Sequence, residues 1–436
     1  MRESIYNIKI KYKDLFCLYN TKTSKLIVSK INYDKLFLQQ SEKMKSNGFL
    51  VEKDFDEFQE VVDRRKKYLD SDKDYKRYTI FPTTKCNAKC SFCYENDSPR
   101  FDMTDKVVEE TIEFIKKDIG NKKKMRIYWF GGEPLVRRDI IDKISKALIE
   151  FCDRKGISLQ SSIATNLSLF KEKDIQYAID NWHLNKIEFA FDGDHDQHNL
   201  IKNYNIKNFD AFNHNMEMIG KLLEKNITVQ IRFNVDKNTF NDAMILARNI
   251  LKKYHGNKKL KLYLGFIFKT PQNNSPAKED LIEMKSIGKY SIKFFELLKQ
   301  YKHCGVEDLP LMYKINNCYA SNKDSLVIGS SGLITKCQMC PDSFLNKIGN
   351  VVSGVDILSD NYKKWCNNLY FKNCITCKMY PICLTGCIGQ KYIYNNISCC
   401  TEKFYLKELL VCAIKMLEQD NQLVVNKILS LKKKKR

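Results

Sequence analysis

The run Tyr78-Thr-Ile-Phe-Pro82-Thr-Thr-Lys-Cys86-Asn-Ala-Lys-Cys90-Ser-Phe-Cys93 joins a β-prone apolar segment to a loop bearing three cysteines. Downstream, strand-like runs recur at Arg126–Phe130, Ser158–Thr165, Lys186–Phe191, Thr228–Val235 and Lys261–Phe268. Helical patterns fall between them near 104–117, 137–152, 171–181, 209–225 and 240–254, with a sixth at 278–301. Strands separated by helices of this length imply βαβ units and a parallel sheet. The fold class read from this pattern is α/β, a partial (β/α)6 TIM-like barrel whose site lies at the C-terminal strand ends. The chemically suggestive residues fall there: Cys86–Cys93 after the first strand, Gly131–Pro134 after the second, Asn166 after the third, Asp192–Gly193 after the fourth.

The spacing C-x3-C-x2-C at Cys86, Cys90 and Cys93 puts three thiolates on one tight loop. Thiolate is a soft ligand suited to iron–sulfur clusters, and three of them leave one iron of a [4Fe–4S] cube without a protein ligand. An open position is where a substrate or cofactor coordinates. The competing readings are zinc, whose usual pairs are repeated C-x2-C, and plain structural thiols. With an aromatic residue before the third cysteine, the segment resembles the signature of the radical S-adenosylmethionine (SAM) family. That resemblance implies that the open iron is chelated by the methionine moiety of SAM and that reductive cleavage yields a 5′-deoxyadenosyl radical. Trp129-Phe-Gly131-Gly132-Glu133-Pro134 resembles the family's GGEP motif, which meets the methionine ammonium. Two glycines let backbone approach a ligand, and a carboxylate suits a cation. Ala164-Thr-Asn166 resembles the family's TN turn near the ribose, and Arg232-Phe-Asn234 an Arg-x-Asn pattern beside the adenosyl carboxylate or ribose. Each of these two also reads as ordinary polar residues at a strand end. Asp192-Gly193 followed by His198 resembles a D-G-x4-H segment of one branch, with Ala190 where that branch has serine. His198 is read equally as a structural hydrogen-bonding residue or a substrate contact. No catalytic residue is assigned.

A second constellation, Cys374-Ile-Thr-Cys377 and Cys383-Leu-Thr-Gly-Cys387, follows Cys318, Gly332 and Cys337 and precedes Cys399 and Cys400. The order resembles the SPASM extension of peptide-modifying radical SAM enzymes, with a zinc ribbon as the competing reading. The resemblance implies Cys318, Cys337 and Cys387 on a first auxiliary cluster, and Cys374, Cys377, Cys383 and Cys400 on a second. Cys400 is preferred to Cys399 because Cys400-Thr-Glu-Lys403 resembles the usual C-x-x-K ending. Tyr319–Leu326 lacks the additional cysteine of some relatives, so the first auxiliary cluster either keeps an open iron or borrows Cys340 or Cys304. In all, three [4Fe–4S] clusters and SAM are expected. Cys17, Cys152, Cys366 and Cys412 read as buried thiols.

Residues 1–76 read as a small winged-helix-like domain: strands at Tyr6–Lys11 and Leu15–Tyr19, Ile27–Val28, a helix near 33–46, Phe49–Val51 and an acidic helix. This resembles the leader-peptide-binding domain of ribosomal-peptide maturases, which would add the leader to its sheet edge. A plain structural cap is the alternative. The expected domains are 1–76 (leader binding), 77–301 (radical SAM barrel), 302–412 (SPASM, cysteine-rich and iron–sulfur) and a basic tail at 413–436.

A hydrophobic content of 43% with 12% aromatics excludes a wholly disordered chain. No apolar run reaches membrane-span length, and the charged N-terminus lacks a signal-peptide apolar region. A soluble, cytoplasmic location is therefore expected, which keeps the seventeen cysteines reduced and points to metal rather than disulfides. The net charge of +22 is spread over lysine-rich helices and a terminal block at Lys432–Arg436. It reads as a solvated surface, or as attraction for an acidic peptide. No nucleic-acid-binding module is found. The implied activity is modification of a ribosomally made precursor peptide, with a cysteine-to-carbon thioether crosslink as the leading bond, fed by a low-potential donor such as a flavodoxin or ferredoxin. Sulfatase-type formylglycine formation and a non-catalytic metal-stabilised binding protein are the alternatives.

Overall fold

A computed structural model describes residues 1–431 apart from 94, 96–98, 207, 269–278, 317 and 396–398. The basic block expected at Lys432–Arg436 lies outside the described residues. The chain divides into two compact units, Met1–Ser71 with Glu283–Ser321 and Asn367–Arg436, and Asp72–Ile282 with Asn322–Cys366.

The chain opens in the first unit with β1 (Arg2–Glu3), β2 (Asn7–Tyr12), β3 (Leu15–Asn20), β4 (Lys25–Ser29), α1 (Tyr33–Gln39), α2 (Ser41–Ser46), β5 (Leu50–Val51) and α3 (Glu57–Asp70). β2, β3 and β4 form an antiparallel meander, and Leu18 and Ile27 on it pack with Leu36, Met44 and Phe49. The single helix expected over 33–46 is two. Gln40 leaves helical geometry (φ −129°, ψ 35°), and the bend lets Leu36 of α1 and Met44 of α2 both reach the same core.

The second unit follows with β6 (Tyr75–Ile80), α4 (Asp105–Asp118), β7 (Lys124–Trp129), α5 (Arg138–Lys155), β8 (Ser158–Ala164), α6 (Glu172–Trp182), β9 (Leu184–Phe191), α7 (His195–Lys202), α8 (Ala211–Glu224), β10 (Thr228–Val235), α9 (Phe240–Lys253) and β11 (Leu260–Phe266). The six strands are parallel and sequential, as a barrel of βα units requires. α5 shows why the helices cover the sheet: Ile140, Ile141, Ile144, Leu148 and Cys152 share one buried face, and Gly156 ends the helix at φ 64°. α7, short and polar in sequence, was not expected.

After α10 (Ile287–Gln300), which begins later than the expected 278, β12 (Ser325–Ile328) lies parallel to β6. β13 (Leu333–Thr335), β14 (Gly349–Asn350) and β15 (Gly354–Val355) continue the sheet antiparallel. The region read as loop-rich thus lengthens the sheet on the β6 side. α11 (Asp360–Cys366), α12 (Tyr380–Cys383), α13 (Ile388–Tyr394), α14 (Leu406–Gln419) and β16 (Ile428–Ser430) complete the chain, β16 pairing antiparallel with β4. Cys17, Cys152, Cys366 and Cys412 are buried as expected. No helix among the described residues is long and apolar enough to cross a membrane.

Candidate active site

The cysteine loop leaves β6 and is closed at its neck. Thr84 N donates to Phe101 O (2.9 Å), Phe101 N to Thr84 Oγ (2.9 Å), and Thr84 Oγ to Pro99 O (2.7 Å). Arg100 reaches across to the carbonyls of Thr84 and Glu95. On its far side the loop is tied to the end of α7: Lys89 N donates to Lys202 O (3.1 Å), and Asn205 N to Asn87 O (3.0 Å). A third tie runs to the end of β8, where Asn87 Nδ2 donates to Ser168 Oγ (2.8 Å) and Asn166 Nδ2 to Asn87 Oδ1 (3.0 Å).

Gly131 and Gly132 let the β7 end press against this loop. Gly131 has φ +144°, and a Cβ there would meet Thr83 O at 2.3 Å; at Gly132 it would meet Lys85 O at 2.4 Å. Only glycine permits both. Glu133 caps the 3-10 turn Pro134–Arg137 and is fully buried. Its Oε1 accepts from Thr165 Oγ1 (2.8 Å) and Leu135 N (3.1 Å), its Oε2 from Asn166 N (2.7 Å). Burial outweighs those three donors and lifts its carboxyl to about 7.

Around these strand ends opens a cavity of about 270 Å³. It is lined by Cys86, Cys90 and Cys93, by Gly131, Gly132 and Glu133, and by Asn166, Arg232 and Asn234. Pro134 does not line it; its place is the first position of the 3-10 turn. Arg232 Nε is buried there without a hydrogen-bond partner, a donor awaiting an acceptor. Asn234 Nδ2 is engaged by Asp192 Oδ1 (2.7 Å). His198 is buried and does not line the cavity, its Nδ1 accepting from Asp192 N (3.2 Å). Ala190 lines the cavity and offers no hydroxyl. The sequence reading missed Lys202 and Glu188, both on the cavity wall, because neither belongs to a motif with recognisable spacing.

A [4Fe–4S] cube needs soft thiolate donors that share one void, and Cys86, Cys90 and Cys93 meet that description. Burial raises all three thiols, Cys86 to about 12, so metal binding must displace protons from them. Among the described residues no three His, Cys, Asp or Glu side chains converge tightly enough to hold a single ion.

In the first unit, Cys374, Cys377, Cys383, Cys399 and Cys400 line one small pocket with Lys403. The Cys383 and Cys400 thiols hydrogen-bond; with Cys400 keeping its proton, Cys383 is drawn down to about 6. Lys403 Nζ stands 3.8 Å from Cys399 Sγ. Cys318 and Cys387 belong to this unit too, Cys387 exposed and Cys318 Sγ accepting from Ala320 N (3.4 Å). Cys337 belongs to the second unit, its thiol hydrogen-bonded to that of Cys340, whose own Sγ lies 3.4 Å from Cys337 O. Cys304 is buried in the first unit.

Residues 80–258 match the model of the Radical SAM superfamily. The chain is 22% identical over 379 residues to the radical SAM cyclopropyl synthase TigE of Paramaledivibacter caminithermalis, covering 80% of this chain and 76% of that protein. Among solved structures it resembles native anSMEcpe with bound AdoMet and Cp18Cys peptide (TM-score 0.62, 16% identity, 80% of this chain and 99% of that one). It also resembles Streptococcus suis SuiB bound to precursor peptide SuiA (TM-score 0.52, 15% identity, 88% and 95%). A radical SAM domain implies a [4Fe–4S] cluster and SAM, and the matched segment is the one whose strand ends build the cavity. Residues 80–258 thus form a radical SAM domain, and the chain that carries it is a radical SAM enzyme.

Proposed function

We propose that this enzyme cleaves SAM reductively and uses the resulting radical on a ribosomally made precursor peptide. The observation that carries the reading is the convergence of the Cys86–Cys93 loop, Gly131–Glu133, Asn166, Arg232 and Asn234 on one cavity. Cys86, Cys90 and Cys93 would hold the cluster, which supplies the electron that breaks the sulfonium C–S bond. Around it, Gly131 and Gly132 open backbone to the methionine end of SAM, and Arg232 offers its orphaned Nε–H to an oxygen acceptor. Glu133 fixes the relative position of the β7 and β8 ends, while the aromatic wall of Phe92, Phe130, Phe189 and Phe266 excludes water.

The pocket of five cysteines supports a second cluster on Cys374, Cys377, Cys383 and Cys400, with Cys400 favoured by its thiol contact to Cys383. Within the second unit, the thiol contact between Cys337 and Cys340 favours Cys340 as a companion ligand to Cys337. The precursor's leader would add to β2, because β16 already covers the β4 edge. A groove beside it sets Lys9, Lys11, Lys407 and Lys415 against Glu296 and Glu408, a net positive lining that suits an acidic segment. The leading product is a thioether crosslink within the peptide. That crosslink would require the peptide to lose one C–H hydrogen atom, the thiol proton and one electron, the hydrogen to a radical derived from SAM and the electron to an iron–sulfur centre.

Anaerobic reconstitution tests the reading. Wild-type protein should carry about 12 irons (four per cubane) and form 5′-deoxyadenosine on reduction, whereas C86A/C90A/C93A should form none. A product peptide lighter by a pair of hydrogens with its cysteine closed to alkylation supports the thioether. A product whose cysteine still alkylates excludes it.

A further inference from the structure

Next to the cysteine loop the second unit buries an ion pair that SAM cleavage as described above does not use. Lys202, the last residue of α7, places Nζ 2.8 Å from Asp192 Oδ2, with side chains only 9% and 1% exposed. Asp192 is held from behind: Asn234 Nδ2 donates to its Oδ1 (2.7 Å), and its own N–H donates to His198 Nδ1. His198 Nδ1 also stands 3.4 Å from Asp192 Oδ2, and burial lowers the pKa of that ring. The permanent positive charge beside Asp192 is the Lys202 ammonium.

The pair also has a direction. Lys202 lines the cavity with Cys90, whereas Asp192 does not, and the Lys202 carbonyl holds Lys89 N at 3.1 Å, one residue before Cys90. Besides Asp192, Lys202 acts electrostatically on Glu133 and Tyr204.

Charges in a dry interior act far more strongly than in water, and the potential of an iron–sulfur cluster follows the local charge and hydrogen bonding. Reduction adds one electron, so a nearby ammonium eases it and a nearby carboxylate resists it. We infer that the buried Lys202–Asp192 pair is an oriented dipole, ammonium end toward Cys90, that positions the cysteine loop and raises the reduction potential of the cluster it holds. This rests on the reading that Cys86, Cys90 and Cys93 carry that cluster. It makes Lys202 and Asp192 positioning residues for the electron-transfer step.

The test is a reductive titration followed by electron paramagnetic resonance on the reconstituted full chain without SAM, reading the signal that C86A/C90A/C93A lacks. Lys202→Met should move the midpoint to more negative potential, because the carboxylate remains. Asp192→Asn should move it to more positive potential, because the ammonium remains. The double variant should fall between them, and Lys202→Arg should stay near wild type. A merely structural role would lower iron content in both single variants without opposite shifts. Unmoved midpoints, shifts of one sign, or weaker SAM binding with unmoved midpoints would overturn the inference. Should Lys202→Met fail to assemble the cluster, Asp192→Asn and Lys202→Arg decide by the same criterion. A wild-type chain with no such signal would instead overturn the cluster reading itself.

Discussion

Glu133 joins two strand ends because its two oxygens face different loops, Oε1 meeting Leu135 N and Thr165 Oγ1 while Oε2 meets Asn166 N. Its titration has a readable sign. The folded chain holds this proton up to about pH 7, the unfolded chain only to about 4.5. Between those values the folded state binds more protons, so its stability falls as pH rises, by about 3 kcal/mol across the window. In the metal-free chain, Glu133→Gln should flatten that decline in urea-unfolding measurements between pH 4.5 and 7.5. It should also lose about 1–3 kcal/mol near neutrality, since an amide cannot accept at both ends. An unchanged pH slope would show that Glu133 is ionised throughout.

At the scale of elements, α3 anchors the cysteine-rich end of the first unit through one side chain. Arg65, 1% exposed, donates Nη1 to Leu369 O (2.5 Å) and Leu384 O (3.1 Å), and Leu384 directly follows Cys383. Arg65→Met should strand both carbonyls, costing about 2–4 kcal/mol. The second cysteine pocket should then retain less iron while the Cys86–Cys93 signal persists. Equal loss at both sites would count against a local anchor. The six parallel strands and their order were legible because apolar runs alternated with helical periodicity, and the cavity because Cys86–Cys93, Gly131–Glu133 and Asn166 end successive strands. α7 was not, because His195-Asp-Gln-His-Asn-Leu-Ile-Lys202 has almost no apolar stripe; Asp194, accepting from Gln197 N, starts it instead. Lys202 was invisible for a related reason: with 74 Lys and Arg in the chain, nothing local marks the one that folding buries. β12 escaped too, since Ser325–Ile328 is short and its partner lies hundreds of residues upstream.

For the molecule as a whole, the meander in the first unit has two edges, and the chain covers one with its own β16. Asn426 N donates to Val28 O (2.7 Å) and Leu431 N to Ser24 O (3.0 Å), pinning that strand at both ends. Truncation after residue 424 should bare the β4 backbone, a template for strand pairing between copies. Size-exclusion chromatography should show concentration-dependent self-association of the truncated chain and not of the full one. A monodisperse truncated monomer would mean that β4 tolerates solvent.

The pairing of β12 with β6 also imposes a birth order. While the ribosome works, adding about 5–20 residues each second, β6 has β7 on one flank and nothing on the other. That flank stays bare for on the order of tens of seconds, until Ser325–Ile328 emerges. Throughout that interval the nascent thiols just beyond β6 stand beside an unfinished wall, within reach of oxygen and of cluster-delivery proteins alike.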